Sequence, residues 1–396
     1  MFDPPSAQEL KSRQNKLMQL IRNTLPDVDT VMLIGKINQY YLTGTMQDGL
    51  LVLRQDGFVR YFVRKSYTRA CLECPLDIIS KVDSYRDLRP FLPQELGEIG
   101  LDADMMTLAA LNRLQNYFRL GRIRPVDRLV QSVRAVKSPA ELALIRESGR
   151  QHDRLLREIA PGLFREGMSE TDLLAELYAA MLKQGHHGVS RFAMPQMELI
   201  VGQMGFGENS LYPTNFDGPG GMRGMSPAVP IIGDRHRYLK KGDLVFIDVG
   251  YGVAGYHSDK TQIYSFGVPP DEQVKQTHAA CRQVLRQALS LIRPGAVPAE
   301  VYEHVLDELP AELNATFMGY TDDPVRFLGH GVGLQVDEAP VLARGMSQPL
   351  AEQMVLAIEP KCGVPGHGLV GVEETYVVTA EGTCCLTGGG RDIMVV

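Results

Sequence analysis

The sequence predicts an α+β protein of two domains, a smaller α/β domain over residues 1–134 and a larger one over 135–396. Three observations predict it. The 396 residues exceed the roughly 100–200 typical of one domain. Runs of β-branched and aromatic residues are interleaved with segments whose apolar residues recur at helical spacing. Charge also changes along the chain: residues 1–137 hold 20 basic and 15 acidic side chains and residues 138–396 hold 21 and 32, so the carboxylates gather in the second part. A composition of 44% hydrophobic and 22% charged residues excludes disorder as the main theme. The net charge of −6 argues against nucleic acid as a partner.

Taken in order, residues 8–24 carry Leu10, Leu17, Leu20 and Ile21 at helical spacing and predict a surface helix. Strand-like runs follow over 31–44, 49–64 and 76–85, with Asp56-Gly57 as a hairpin turn in the second. Residues 106–119 read as a helix. Ser138, Pro139 and Glu141 then supply the N-cap, first and third positions of another, so the second domain opens at this point. Helical spacing continues over 139–159 and 168–184, whereas 202–238, rich in Gly, Pro and Met, predicts a long loop. GDLVFIDVG and TQIYSFG read as an antiparallel pair turning around Gly252 and Gly255, residues 271–292 and 298–310 as helices, and FLGHGVGL, QMVLAIEP and LVGVEETYVVT as strands.

Six irregularly spaced cysteines do not suggest a disulfide framework, and Cys71 and Cys74 form a CxxC with no second pair to complete a zinc site. The N-terminus lacks the apolar core of a signal peptide, and no run of 18 apolar residues occurs. The expectation is a soluble, cytoplasmic protein without a membrane partner.

Chemistry concentrates in Asp248, Asp259, His330, Glu359 and Glu373, whose oxygen and nitrogen donors suit divalent metals. Asp248 follows LVFI, Glu359 follows MVLAI and Glu373 follows LVGV. A carboxylate in an apolar strand is costly to bury unless it meets a cation or several donors. Asp259 lies eleven residues after Asp248 across the expected hairpin, a spacing that lets both acids point to one face. If the five converge, four carboxylates balance two divalent ions, and a two-metal centre supplies a nucleophilic water near neutral pH. Oxygen-rich ligation with one imidazole suits manganese, cobalt, iron or zinc.

IDVG with Asp248, HSDKTQ with Asp259, GHGVGL with His330, IEP with Glu359 and VEET with Glu373 form an ordered pattern. It resembles that of the pita-bread metallopeptidases: aminopeptidase P, prolidase, methionine aminopeptidase and the creatinases. INQYYLTG, YTRACLE and VKSPAEL resemble the creatinase-type N-terminal domain, which favours the two-domain prolidase and aminopeptidase P branch. The resemblance implies a pita-bread catalytic domain over 135–396 behind a creatinase-like domain over 1–134, a homodimer, and a hydrolase of the Xaa-Pro aminopeptidase or dipeptidase type. It further implies that Asp248 chelates one metal, that Asp259 and Glu373 bridge two, and that His330 and Glu359 hold the other, with Glu359 as proton acceptor and donor.

Three positions depart from the peptidase pattern. Ile231 falls where those enzymes usually carry a substrate-contacting histidine, with His236 five residues on; Asp337 replaces a second histidine; and Gly371 replaces an arginine before the last ligand. These departures keep two other readings open: a creatinase-like or other small-molecule C–N hydrolase, with Asp337 binding a positive substrate group, and a non-catalytic binding module. Of the remaining features, His257 reads equally as a residue orienting a ligand and as an exposed turn histidine. His186-His187 reads as a polar helix end, DGPGGMRG as a loop shaping the pocket, and Met194, Met197, Met204, Met222 and Met225 as ordinary packing.

Overall fold

A computed structural model of the chain describes residues 4–193, 200–311, 313, 315–320 and 324–396. The chain divides into two compact units, residues 1–134 and 135–396.

The first unit is built on a six-stranded sheet in the order Ile79–Lys81, Val59–Lys65, Asp48–Arg54, Val28–Leu33, Glu98–Leu101, Ile123–Pro125. Its opening helix, Ala7–Thr24, is capped by Ser6, whose hydroxyl accepts from the Glu9 amide, and buries Leu10, Leu17 and Ile21. Asp48–Arg54 and Val59–Lys65 pair antiparallel across the Asp56-Gly57 turn. The run over 31–44 is not a single strand: pairing stops at Leu33, and Lys36–Thr43 is a helix closed by Gly44 at φ 77°. Local β-propensity loses here because Gly44 supplies the left-handed cap and Gln39 donates from inside the helix to the Leu33 and Gly49 carbonyls. The expected strand over 76–85 shrinks to Ile79–Lys81, and the helix over 106–119 to Leu108–Gln115.

In the second unit, Ser138 and Glu141 form a reciprocal capping box that starts the Pro139–Arg154 helix. That helix lies on the long hairpin of Leu244–Val253 and Tyr256–Ser265, tied by the Ser148 hydroxyl donating to the Tyr251 carbonyl at 2.7 Å. Gly202–Phe206 adds an antiparallel edge to this hairpin, so the expected loop over 202–238 begins as a strand and a short 3-10 turn at Gly207–Leu211. Two glycines among its five residues hide the alternation that marks a strand. A second sheet runs in the order Glu338–Ala343, Phe327–Gly331, Val355–Ile358, Glu374–Thr379, Gly382–Cys385. A small hairpin, Lys361–Val364 with Gly368–Gly371, connects two of these strands. The helices Glu272–Leu291 and Pro298–Asp307 cover the core formed by Phe246, Val284, Leu328, Leu356 and Val370. A bridge between Thr261 and Glu373 joins the two sheets.

Gly149, in the middle of the Pro139–Arg154 helix, sits so close to the backbone at Leu386 that an added Cβ would lie 2.2 Å from the Leu386 carbonyl oxygen. Gly149→Ala should therefore lower stability by about 1–3 kcal/mol, the usual range for overpacking, despite alanine's better helix propensity. Urea titration followed by circular dichroism checks this; an unchanged or raised midpoint contradicts it.

Candidate metal centre

Asp248 and Asp259 come from the long hairpin. Asp259 pairs with Gly250 and Asp248 with Thr261, so the two acids are diagonal neighbours on one face. His330 comes from Phe327–Gly331, where its cross-strand partner is Ala357, two residues before Glu359. Glu373 precedes the strand Glu374–Thr379, at the bridge to Thr261, and its Oε2 accepts from the Thr261 hydroxyl at 3.0 Å. Each acid is thus held at a strand end or inside a buried strand. All five expected side chains meet at the floor of one cavity, lined in part by Asp248, Asp259, His330, Glu359 and Glu373.

Their donor atoms fall into two overlapping groups with the spacing a metal ion requires: Asp259, His330 and Glu373, and Asp248, Glu359 and Glu373. Around His330, Nε2 lies 3.3 Å from Glu359 Oε1, 3.7 Å from Glu373 Oε1 and 4.0 Å from Asp259 Oδ2. Glu373 Oε1 is buried without a hydrogen-bond partner among the described residues. Such an orphaned carboxylate oxygen beside an imidazole fits a cation site.

The second group contains a residue that sequence reasoning passed over. Lys361 sends its Nζ into the acids, 2.8 Å from each of Asp248 Oδ2, Glu359 Oε2 and Glu373 Oε2. Its side chain is wholly buried, with the Phe246 ring 5.9 Å from the ammonium. The signal was available: Lys361 stands two residues after Glu359 in the same apolar stretch, and a lysine buried there needs partners as much as the acids do. Glu359 and Glu373 therefore touch both halves of the centre, each with one oxygen toward the ammonium and the other toward His330.

The electrostatics follow this crowding. Burial, opposed by Lys361 and reinforced by Glu373, pushes Asp248 up to about 7. Burial with Glu373 and Asp248 raises Asp259 well above the carboxylate range. Burial alone would lower His330, but Glu359, Asp259 and Glu373 outweigh it and push the imidazole up to about 10. Protein alone thus leaves this centre short of positive charge.

Asp337 also lines the cavity. Its Oδ1 accepts from the Ala193 amide at 2.6 Å, and burial raises it to about 6 against that bond and the His330 charge. Ile231 is not among the lining residues, and His236 is exposed. Phe216, Asp217 and Gly218 of the glycine-rich loop occupy the wall instead, with Phe192 and Phe216 packed edge-on at 5.2 Å. Gly371 contributes space: at φ 136°, an added Cβ would lie 2.6 Å from Lys361 Cα and 3.0 Å from its Cγ. Met204 and Met222 are buried away from the cavity wall and Met225 is half-buried; Met194 and Met197 lie outside the described residues. Cys71 and Cys74 are free thiols.

His257 is neither an exposed turn residue nor in contact with the acids. It is fully buried, with Nδ1 3.1 Å from the Gly333 carbonyl and Nε2 3.2 Å from His187 Nε2. His186 and His187 are no mere helix end either: they accept from the Gly252 and Gly255 amides and pin the tip of the long hairpin. Burial, and then the neighbouring His187, pushes His257 down to about 3; burial pushes His186 and His187 down to about 4.

Residues 143–380 match the model of metallopeptidase family M24, and residues 13–136 match the creatinase/prolidase N-terminal domain. A probable dipeptidase PepE of Mycobacterium tuberculosis is 31% identical over 270 residues, covering 68% of this chain and 62% of that protein. An uncharacterized peptidase of Staphylococcus aureus is 25% identical over 366 residues, 91% of this chain and 94% of its own. The crystal structure of dipeptidase PepE from Mycobacterium ulcerans superposes with a TM-score of 0.80 at 23% identity, covering 100% of both chains. Prolidase from Pyrococcus horikoshii OT3 gives 0.78 at 21% identity over 97% of this chain and 100% of its own. The fold is accordingly the two-domain one, a creatinase-type domain followed by a pita-bread domain.

The three histidines at the hairpin tip carry a pH consequence. Their folded pKa values lie below the ordinary 6.5, so below about pH 6.5 the unfolded chain binds protons that the folded one refuses. Their contribution is complete above about 6.5 and is lost as pH falls toward 3. His257→Gln should therefore lose less stability between pH 7.5 and 5 than the unsubstituted protein, each measured by urea unfolding. Equal losses contradict the assignment.

Proposed function

Because the chain belongs to metallopeptidase family M24, we propose that it is a metal-dependent peptidase that cleaves short Xaa-Pro peptides, as an Xaa-Pro dipeptidase or aminopeptidase. The observation that carries this reading is the convergence of Asp248, Asp259, His330, Glu359 and Glu373 at the floor of an aromatic-walled cavity. Phe192, Phe216 and Phe327, with Val201, Val336 and Val341, suit a small apolar side chain or a prolyl ring. Relatives named as a dipeptidase and as prolidases support the substrate class.

Asp248, Asp259, His330, Glu359 and Glu373 would hold divalent metal, which would supply polarisation of the scissile carbonyl and a lowered pKa for water. The chain's own groups do the rest. Glu359 takes the proton from the attacking water and returns it to the leaving nitrogen. The apolar wall orients the substrate and excludes competing water. Asp337 faces the cavity as an acid where the peptidases usually have a histidine, so it binds the positively charged amino terminus of the substrate. The same acid favours one alternative, a small cationic amide or amidine in place of a peptide. A homodimer and a cytoplasmic setting belong to the same proposal; six free thiols accord with the second. No helix among the described residues is long and apolar enough to cross a membrane.

The test is hydrolysis by manganese-loaded protein of Xaa-Pro dipeptides, longer Xaa-Pro peptides and creatine. Turnover of the first two supports the reading, turnover of creatine alone favours the alternative, and turnover of none rejects both. Glu359→Gln should lower kcat by about 10²–10⁴, the usual contribution of a general acid–base. Asp337→Asn should raise KM for peptides with a free amino terminus while leaving kcat near its original value. An unchanged KM removes Asp337 from substrate binding.

A further inference from the structure

The two halves of the centre are not equivalent, and the difference lies in this chain's own side chains. Asp248 Oδ2, Glu359 Oε2 and Glu373 Oε2 each lie 2.8 Å from Lys361 Nζ. An ammonium offers three N–H donors, and these three oxygens take all of them. A divalent ion bound to the same three oxygens would have to stand where the ammonium stands. On the other side, Glu373 Oε1 lacks a hydrogen-bond partner among the described residues. With Glu359 Oε1 and Asp259 Oδ2 it surrounds His330 Nε2 at 3.3–4.0 Å. That half offers carboxylate oxygens and an imidazole nitrogen, with no lysine or arginine among them.

The lysine is built into its place. Lys361 opens the small hairpin opposite Gly371, and its side chain is 0% exposed. Gly371 adopts φ 136°, and a side chain there would run into the Pro360 carbonyl oxygen at 2.4 Å and into Lys361 itself. The glycine is therefore the space that lets the lysine turn inward. The missing arginine noted in the sequence and the unexpected lysine are two ends of one arrangement.

We propose that Lys361 permanently fills one of the two cation positions of this centre, so that each chain binds a single divalent ion, held by Asp259, His330, Glu359 and Glu373. The inference rests on the reading of the centre as a metal site and replaces the two-ion form that the sequence resemblance implies. It makes Lys361 a positioning residue, which fixes the outer oxygens of Glu359 and Glu373 and leaves their inner oxygens to the ion.

Metal stoichiometry tests it without reference to turnover. Full-length protein is stripped with chelator, reloaded with excess manganese and desalted, then analysed by mass spectrometry for metal and by electron paramagnetic resonance. One manganese per chain with an uncoupled six-line signal is the expected result. Two per chain with an exchange-coupled spectrum, or no retained ion at all, overturns the proposal. Lys361→Gly, purified with manganese throughout, should rise from one to two ions per chain and acquire the coupled signal; a folded variant that still holds one ion contradicts Lys361 as the occupant. If this variant does not fold, the count on the unsubstituted protein still decides. One ion without cleavage of any Xaa-Pro peptide would reject the peptidase reading and leave this one standing.

Discussion

Four ionised carboxylates cannot share a buried pocket unless positive charge is brought to them, and the second unit is organised around that constraint. Removing one partner from a buried ionic group costs about 3–5 kcal/mol. The acids are therefore placed on rigid elements whose backbones are already paired. Asp248 and Asp259 stand on a hairpin of two ten-residue strands, each buried along its whole length, and Glu373 is anchored through Thr261 to the same hairpin. A further buried ion pair, Lys260 with Glu374, is formed by the residues next in sequence to Asp259 and Glu373. Successive residues on a strand point to opposite faces. Asp259 and Glu373 thus face the cavity while Lys260 and Glu374 satisfy each other behind it.

Glycine provides the remaining freedom. Gly250 faces Asp259 across the hairpin and Gly329 lies beside His330; at Gly329 an added Cβ would come within 2.2 Å of the Ala357 carbonyl oxygen. Gly371 acts differently, because its missing side chain yields volume to the Lys361 side chain as well as to the Pro360 and Lys361 backbone. One substitution at that point would disturb the lysine, and through it the orientation of Glu359 and Glu373.

The parts of this arrangement that were legible in the sequence share one property: the signal is local. Acids at the ends of apolar runs, the Ser138 capping box and the Asp56-Gly57 turn each declare themselves within a few residues. What was not legible depends on distant partners. The Lys36–Thr43 helix has the local composition of a strand, and its stability comes from Gly44 and from Gln39 donating to the Leu33 and Gly49 carbonyls. His187 and His257 are seventy residues apart and become a contact only when the hairpin tip folds back. Lys361 followed the same physical rule as the acids. Surface lysines are so common, however, that a single one beside IEP carries no weight until its burial is known.

That lysine changes what the acids can be said to do. An ammonium neutralises charge and donates hydrogen bonds, but it offers no open position to a carbonyl or a water. A half-centre closed by Lys361 therefore contributes order and charge balance, and the chemistry is left to the half around His330. There Glu359 has a divided task. One oxygen is held at 2.8 Å by Lys361, and the other faces the cavity beside the imidazole. A carboxylate fixed at one oxygen keeps the other in a constant direction. This is the geometric demand on a group that must take a proton from water and deliver it to a leaving nitrogen. The lysine serves the same acids that the sequence singled out, by leaving one of them a single free face.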